Sequence, residues 1–142
     1  YRTYVILGDG EQGKGSLWEA AAFAAHKKLD NLVAILDENS LQINGRTCDV
    51  CKPTDFEGRY ASFGWAVRSV DGNDVGALYD ALAAVPFETG KPSLIVAKTT
   101  KSKGVSFLED QAKYHHWNPS KEDADRALAE LDAVAAERGW QA

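Results

Sequence analysis

Cysteine, proline and histidine are scarce in this chain of 142 residues, which contains two, four and three of them respectively. Two cysteines are too few for the disulfide framework of a small secreted protein. No apolar run approaches the ~18 residues that span a bilayer, and no segment has the pattern of a signal peptide. We therefore expect a cytoplasmic protein of about one domain.

Positive charge is also in short supply. The 16 Lys and Arg residues stand against 21 Asp and Glu residues, which gives a net charge of −5. No long basic run is present, so charge supports neither nucleic acid nor a membrane surface as a partner. A composition that is 44% hydrophobic and 26% charged is instead typical of an ordinary folded domain.

Strands and helices alternate along the sequence. Apolar runs at 4–7 and 32–36 flank an alanine-rich segment that starts at Ser16, and this order predicts a strand–helix–strand unit with parallel strands. Further strands are predicted at 65–70 and 93–98, which together indicate an α/β fold with a doubly wound parallel sheet. Because the first strand begins at once, we expect it to pair with a segment outside this sequence, as part of a larger α/β unit.

Apolar spacing predicts further helices at 75–85 and at about 55–62, and Ser120 with Asp123 predicts a capping box that starts a final helix. We expect the final helix to bury three apolar side chains and the first helix to bury two aromatic ones: Leu128, Leu131, Val134, Trp18 and Phe23. A turn at Asn44–Gly45 and an irregular loop at 48–53 lie between the second strand and the short helix.

The loop at 48–53 contains both cysteines, Cys48 and Cys51, as a single CxxC. A zinc site needs more ligands than this pair, and a redox motif stands at the start of a helix. We interpret the pair as two reduced thiols.

Three polar segments follow predicted strands, at 8–15, 37–45 and 99–119. In a doubly wound sheet, ligands bind beyond the carboxyl ends of the strands, so these segments should meet at one edge. The first segment satisfies GxGxxG, and Asp37 stands where the ribose-binding acid of a nicotinamide domain would lie. A dinucleotide-binding domain is therefore one hypothesis.

Asp9 favours a different ligand, because a carboxylate between two glycines would repel a bare pyrophosphate and attract a cation. Asn39 follows thirty residues later, at the end of the next strand, and the backbone carbonyl of Leu41 is close to it in sequence. Oxygen ligands of this kind suit Mg²⁺, while Gly8 and Gly10 let backbone amides approach diphosphate oxygens. The pattern predicts a magnesium–diphosphate site.

These residues also resemble a known family. GDG followed about thirty residues later by Asn is similar to the signature of thiamine-diphosphate enzymes, and the first half of the chain closely resembles transketolases over GDGEQGKGSLWEAAAFAAHKKLDNLVAILDENSLQING. The resemblance continues through FGWAVRSVDGND and GKPSLIVAKTTKSKGVSFLED, and covers nearly the whole chain up to the last helix. It is strongest to the N-terminal subunit of split, two-chain transketolases.

The resemblance implies a three-layer thiamine-diphosphate-binding fold whose N-terminal part is absent, with residues 1–142 as the C-terminal portion of the diphosphate-binding domain. It also implies a pyrimidine-binding domain on a separate transketolase subunit, without which the chain would be inactive. Such subunits would pair as heterodimers or heterotetramers and would transfer a two-carbon ketol unit between sugars or sugar phosphates.

The resemblance further implies roles for individual residues. Asp9, Asn39 and the Leu41 carbonyl match the ligands of Mg²⁺, which Ca²⁺ or Mn²⁺ could replace. The residues that match contacts to the cofactor are Gly8, Gly10, Glu11, Asn39, Lys101 and His115. His115 also matches a residue near the substrate entrance and is the candidate catalytic residue.

Some positions depart from the family pattern. Lys14 stands where the family usually has Glu, so we expect an ion pair between Lys14 and Glu19, while Ser102 and His116 each replace a usual Gly. Lys14 and the missing upstream part favour a non-catalytic scaffold subunit as an alternative. Two others also stay open besides a transketolase: another thiamine-diphosphate enzyme of the 2-oxoacid dehydrogenase or phosphoketolase type, and the nicotinamide domain.

Overall fold

Four parallel strands form the central sheet of the computed structural model, which describes residues 1–51 and 55–140. The strands run, in chain order, β1 (Thr3–Gly8), β2 (Leu32–Glu38), β3 (Leu41–Gln42), β4 (Gly45–Arg46), β5 (Ala66–Asp71) and β6 (Ser93–Lys98). The central sheet has the order β1-β2-β6-β5, and β3 and β4 form a separate antiparallel hairpin. The predicted α/β architecture with a parallel sheet is confirmed.

The described residues form four α-helices between strands and one after the last strand: α1 (Gly15–His26), α2 (Thr47–Val50), α3 (Phe56–Phe63), α4 (Val75–Ala83) and α5 (Lys121–Glu137). They also form two short 3-10 helices, at Gly10–Gly13 and Ala112–Tyr114. The prediction of an irregular loop at 48–53 is wrong in its first part, because α2 lies there, and residues 52–54 lie outside the described residues. Within the described ranges, no helix has the length and apolar character needed to cross a membrane.

Helices cover both faces of the sheet. Ala34, Leu36, Leu94 and Val96 face a core cluster shared with α1 and α3, and Val33 and Ile95 face a second cluster with α4. Alternate residues of one strand point to opposite faces, so both faces of β2 and β6 are apolar. The three layers follow directly from these two continuous apolar runs.

The register of the sheet brings the predicted polar segments together. Gly8 at the end of β1 lies opposite Asp37 in β2, and Glu38 lies opposite Lys98 at the end of β6. The three strands therefore end at the same level, and the segments that follow them leave the sheet side by side.

Two burial predictions fail. Helix α5 starts with the predicted capping box at Ser120, but it has no buried residue: Leu128 and Leu131 are exposed and Val134 is only partly buried. Phe23 on α1 is also exposed, whereas Trp18 packs against the core as predicted. The apolar side chains of α5 are exposed because the helix contacts the loop after β6 and contributes no residue to either core cluster. In that contact, the N–H and hydroxyl of Ser106 donate hydrogen bonds to the carboxylate of Glu130.

Candidate functional site

The carboxyl ends of β1, β2 and β6 open into a cleft with a volume of about 490 Å³. This is a typical size for a small-molecule site. Gly8 and Asp9 from the first polar segment, Asn39 from the second, and Lys101 and His115 from the third all line it. The predicted convergence of three polar segments at one edge is therefore observed.

Asp9 is the most buried acid of the cleft. Its Oδ1 accepts a hydrogen bond from the backbone N–H of Gly10 at 2.7 Å, and its Oδ2 accepts one from the N–H of Ser40 at 2.6 Å. Burial raises the pKa of the Asp9 carboxyl, with a further contribution from Asp37, although both backbone bonds act in the opposite direction. A cation beside Asp9 would offset this unfavourable burial of charge.

Asn39 is held in one orientation by its neighbours. Its Oδ1 accepts from the N–H of Leu41 at 3.0 Å, and its Nδ2 donates to Oδ2 of Asp37 at 3.2 Å. The other oxygen of Asp37 accepts from the hydroxyl of Thr99. Both Asp37 oxygens thus accept a hydrogen bond from the protein, and Asp37 fixes the orientation of the Asn39 amide.

The residues present fit a magnesium ion. The candidate ligands are a carboxylate, a side-chain amide oxygen and a backbone carbonyl, and each carboxylate oxygen of Asp9 keeps a second acceptor position. Across residues 1–51 and 55–140, no group of three or more His, Cys, Asp or Glu side chains could hold a metal. Mg²⁺ at Asp9 would therefore take its remaining ligands from phosphate and water.

The backbone amides of Gly8 and Gly10, the two glycines predicted to contact a diphosphate, form hydrogen bonds within the chain. The N–H of Gly8 donates to Glu11 Oε2 at 3.0 Å, and that of Gly10 to Asp9, so both amides are already engaged by the chain's own carboxylates. A Cβ on Gly10 would lie 3.2 Å from Cβ of Gln42, whereas one on Gly8 would come no closer than 3.9 Å to Glu11. Close packing thus restricts position 10 more than position 8.

Lys14 forms its ion pair with Glu11, and the expected pair with Glu19 is wrong. The Nζ of Lys14 lies 3.1 Å from Oε1 of Glu11, three residues earlier. Helix α1 begins at Gly15, and residues five apart do not share a face of a helix. Hydrogen bonds from the Gly8 N–H and from Lys14 lower the pKa of Glu11, which keeps it ionised at the rim of the cleft.

A buried polar brace under the turn had no signal in the sequence. Gln12 donates from Nε2 to the carbonyl of Gly8 at 3.2 Å and accepts from the hydroxyl of Tyr60 at 3.1 Å. The indole N–H of Trp18 donates to the carbonyl of Gln12 at 2.8 Å. Tyr60 and Gln12 lie 48 residues apart and are both buried, so these bonds tie the turn to the core on α3.

Lys101 and His115 belong to the loop that follows β6. The Nδ1 of His115 is buried and has no hydrogen-bond partner among residues 1–51 and 55–140. Burial, followed by the nearby charges of Lys101 and His116, lowers the pKa of His115. Ser102 has a left-handed backbone with φ of 57°, which accounts for glycine being usual at that position.

Cys48 and Cys51 are exposed and unbonded to each other. Cys48 is the second residue of the short helix α2 and Cys51 is its C-cap, so the expectation that this CxxC stands away from a helix start is wrong. Both thiols are nevertheless free, as the interpretation holds.

Comparison with known proteins gives a consistent result. Residues 1–137 match the family described as transketolase, thiamine diphosphate binding domain. An apulose-4-phosphate transketolase subunit of Phocaeicola vulgatus is 43% identical over 131 residues, which are 92% of this chain and 47% of that protein. The 6-deoxy-6-sulfo-D-fructose transketolase subunit SqwG of Clostridium sp. (strain MSTE9) is 38% identical over 133 residues, or 94% of this chain and 48% of that protein.

A solved structure agrees in fold. The transketolase of Campylobacter jejuni superposes with a TM-score of 0.85 at 31% identity, covering 93% of this chain and 21% of that one. Compared with the two transketolase subunits named above, the present chain spans about half of their length. A match over residues 1–137 decides against a nicotinamide domain: the chain belongs to the transketolase thiamine diphosphate binding domain family.

Proposed function

We propose that the chain is the diphosphate-binding subunit of a two-subunit transketolase that transfers a two-carbon ketol unit from a ketose or ketose phosphate to an aldose or aldose phosphate. The observation that carries this proposal is the bond from the Ser40 N–H to Asp9, which fastens the segment containing Asn39 onto the GDG turn. The similar subunits are named for a sugar phosphate and a sulfo-sugar, so we expect an anionic sugar here as well.

Mg²⁺, or Ca²⁺ or Mn²⁺ in its place, would bind to Asp9, Asn39 and the carbonyl of Leu41. The diphosphate of the cofactor would lie against Gly8, Gly10 and Glu11 at the turn and against Asn39, Lys101 and His115 on the walls. When bound, thiamine diphosphate would supply the nucleophilic carbon that attacks the ketose carbonyl, so that the adjacent carbon–carbon bond of the sugar can break and the two-carbon unit can pass to the aldose.

The chain's own residues would prepare this site in two ways. Glu11 now occupies the N–H of Gly8, so it must move aside before that amide can bind a diphosphate oxygen. The lowered pKa of His115 keeps its imidazole neutral at neutral pH, so the ring can donate or accept a hydrogen bond at a substrate oxygen. His115 would then act as the catalytic residue of this subunit, while Lys101 would offset negative charge of the diphosphate.

The partner would be a pyrimidine-binding transketolase subunit, and two such heterodimers would form the complete enzyme. The resemblance assigns to that partner the glutamate that activates the cofactor. We therefore expect turnover only when both subunits are present.

Binding calorimetry on the full-length chain with its pyrimidine-domain partner tests the proposal, using thiamine diphosphate with and without Mg²⁺. We expect binding that requires Mg²⁺ and is lost in Asp9→Ala. Asp9→Asn provides a second variant of similar shape in case the alanine variant does not fold. Asp80→Ala is the matched control, because Asp80 is exposed on α4, away from the cleft.

Two results would contradict the proposal. An assembled complex that binds no thiamine diphosphate would leave the scaffold alternative. Binding that is equally strong without Mg²⁺, or in both Asp9 variants, would show that Asp9 is not a metal ligand.

A further inference from the structure

Two of the segments that line the cleft, the β3–β4 hairpin and the loop after β6, lie outside the central sheet. The β3–β4 hairpin carries Ile43 and Asn44 into the cleft, and the loop after β6 carries Lys101 and His115. Ile43 is 63% exposed, so burial does little to hold the tip of the hairpin. The relative position of these two walls must therefore depend on contacts between them.

An ion pair joins the two walls. Nη1 and Nη2 of Arg46, on β4, lie 3.3 and 2.5 Å from Oδ1 and Oδ2 of Asp110, on the loop. Each guanidinium nitrogen contacts a different carboxylate oxygen, which is the two-point geometry that fixes orientation as well as distance. The partners are 64 residues apart in sequence, so the contact is long-range.

Asp110 is coupled in turn to the cleft residues of the loop. Its backbone N–H donates to the carbonyl of Lys101 at 3.1 Å, and its φ of 55° marks a sharp turn at this point. The 3-10 helix Ala112–Tyr114 packs against β4, and the N–H of His115 donates to the carbonyl of Ala112 at 2.9 Å. Arg46 therefore contacts the loop at Asp110, which lies in sequence between Lys101 and His115, the two residues of the loop that line the cleft.

We propose that Arg46 and Asp110 are positioning residues that set the distance between the hairpin and the Lys101–His115 loop. The inference rests on the proposed function, since the ligands whose binding would depend on this distance are the cofactor and the sugar. Neither residue lines the cleft, so each acts through the backbone of the segment that carries it.

Arg46→Gln, Asp110→Asn and the double variant test the inference in the full-length chain with its partner subunit. We expect each single variant to weaken thiamine diphosphate binding in the presence of Mg²⁺ by about two- to fivefold, which is the range for a partly exposed ion pair. The double variant should be no weaker than either single one, because both changes remove one contact. Arg46→Lys keeps the charge and should restore part of the affinity.

A second measurement does not depend on the cofactor. Without ligand, the amides of 101–115 should exchange hydrogen faster in Arg46→Gln than in the unchanged chain. Lys103→Gln is the matched control, because it breaks an ion pair of the same loop, with Glu109 at 2.7 Å, that does not reach the hairpin. The control should bind the cofactor as the unchanged chain does.

The outcomes separate this inference from the proposed function. If the unchanged complex binds thiamine diphosphate and all Arg46 and Asp110 variants bind it equally well, the positioning role is wrong and the proposed function stands. If the unchanged complex does not bind it, the proposed function is wrong, and hydrogen exchange alone then decides the positioning role: exchange of 101–115 that is no faster in Arg46→Gln than in Lys103→Gln would overturn it. A loss equal to that of Lys103→Gln would indicate general loosening of the loop and would also overturn the positioning role.

Discussion

At the scale of single residues, the burial of the Asp9 carboxylate is the main electrostatic feature of the cleft. Asp9 is buried, it accepts two backbone hydrogen bonds, and Asp37 stands near enough to disfavour its charge. Burial outweighs the two hydrogen bonds, so the protonated form is favoured in the folded chain compared with an exposed aspartate. A site of this kind binds a cation in preference to an anion.

The raised pKa of Asp9 predicts how Mg²⁺ stabilisation depends on pH. The folded protein holds the Asp9 proton more tightly than the unfolded chain does. The stability that the protonated carboxyl contributes is therefore fully present below pH 3.8, the ordinary pKa of an aspartate. It is lost as the pH rises through the pKa of Asp9 in the folded protein. Under the proposed function, Mg²⁺ with thiamine diphosphate would bind only the ionised form of Asp9. The increase in melting temperature that they cause should therefore grow with pH over the same range and then level off.

Thermal unfolding from about pH 4 to pH 8, with and without these ligands, measures the effect. Asp9→Asn should abolish it, and Asp80→Asn, which changes an exposed aspartate of α4, should not. A ligand-induced increase that is the same at every pH would argue against Asp9 as the group that titrates.

Tyr60 offers a second test at the residue scale. Burial raises its pKa to about 12, so the hydroxyl remains protonated and donates to Gln12. Tyr60→Phe removes that donor without changing shape and leaves a buried amide oxygen unpaired. We expect a loss of about 1–3 kcal/mol in the free energy of unfolding, measured with urea. Tyr79→Phe is the control, because Tyr79 is exposed. An equal loss of stability in both variants would contradict a stabilising role for the hydrogen bond from Tyr60 to Gln12.

At the scale of elements, the close packing of the edge strand β5 against β6 depends on the absence of a side chain at Gly72. The N–H of Gly72 donates to the carbonyl of Lys98 at 2.8 Å, just beyond the last paired residues. A Cβ at this position would lie 2.5 Å from Cγ2 of Thr99 and 2.9 Å from Cβ of Ala97. No rotation of a side chain can relieve the second contact, so β5 would have to move away from the sheet.

Gly72→Ala should therefore destabilise the chain by about 1–3 kcal/mol, as overpacking generally does. Because Thr99 also donates to Asp37, the shift should reach the cleft and weaken cofactor binding. Gly15→Ala is the matched control: no atom of the described residues lies within 4 Å of the Cβ that it would add, and the position starts a helix. Equal urea midpoints for the two variants would contradict the fit of β5 at Gly72.

The elements themselves could be predicted from the sequence, because runs such as 32–36 and 94–97 are apolar on both faces and strongly favour buried parallel strands. The exposure of Leu128 and Leu131 could not be predicted in this way. Helical spacing shows that α5 has an apolar stripe, but it does not show which surface covers the stripe, and here the sheet does not.

The same limit applies to the cleft. Asp9 and Asn39 were found because each directly follows a strand, and topology brings such positions together. Gln12 with Tyr60 and Arg46 with Asp110 are pairs from distant segments, and neither pair follows a period or a motif. Contacts of that kind depend on how loops and helices pack, which local sequence does not specify.

At the scale of the whole molecule, burial is concentrated in the middle of the sheet. β2 and β6 supply most of the fully buried side chains, including Val33, Leu36, Leu94 and Val96. The edge strand β1 is exposed over its first four residues, and α5 has no buried residue. Local opening should therefore be easiest in α5 and hardest in the two central strands.

Amide hydrogen exchange of the isolated chain tests this order of stability. We expect the slowest exchange in 32–38 and 93–98, because opening there requires exposure of both core clusters. Helix α5 should exchange fastest among the helices of eight or more residues, since its attachment rests on contacts such as Ser106 with Glu130. Glu130→Gln should speed exchange in α5 and leave the central strands unchanged. If α5 is as protected as β6, its contacts with the loop are much stronger than its burial indicates, and stability in this chain does not follow burial.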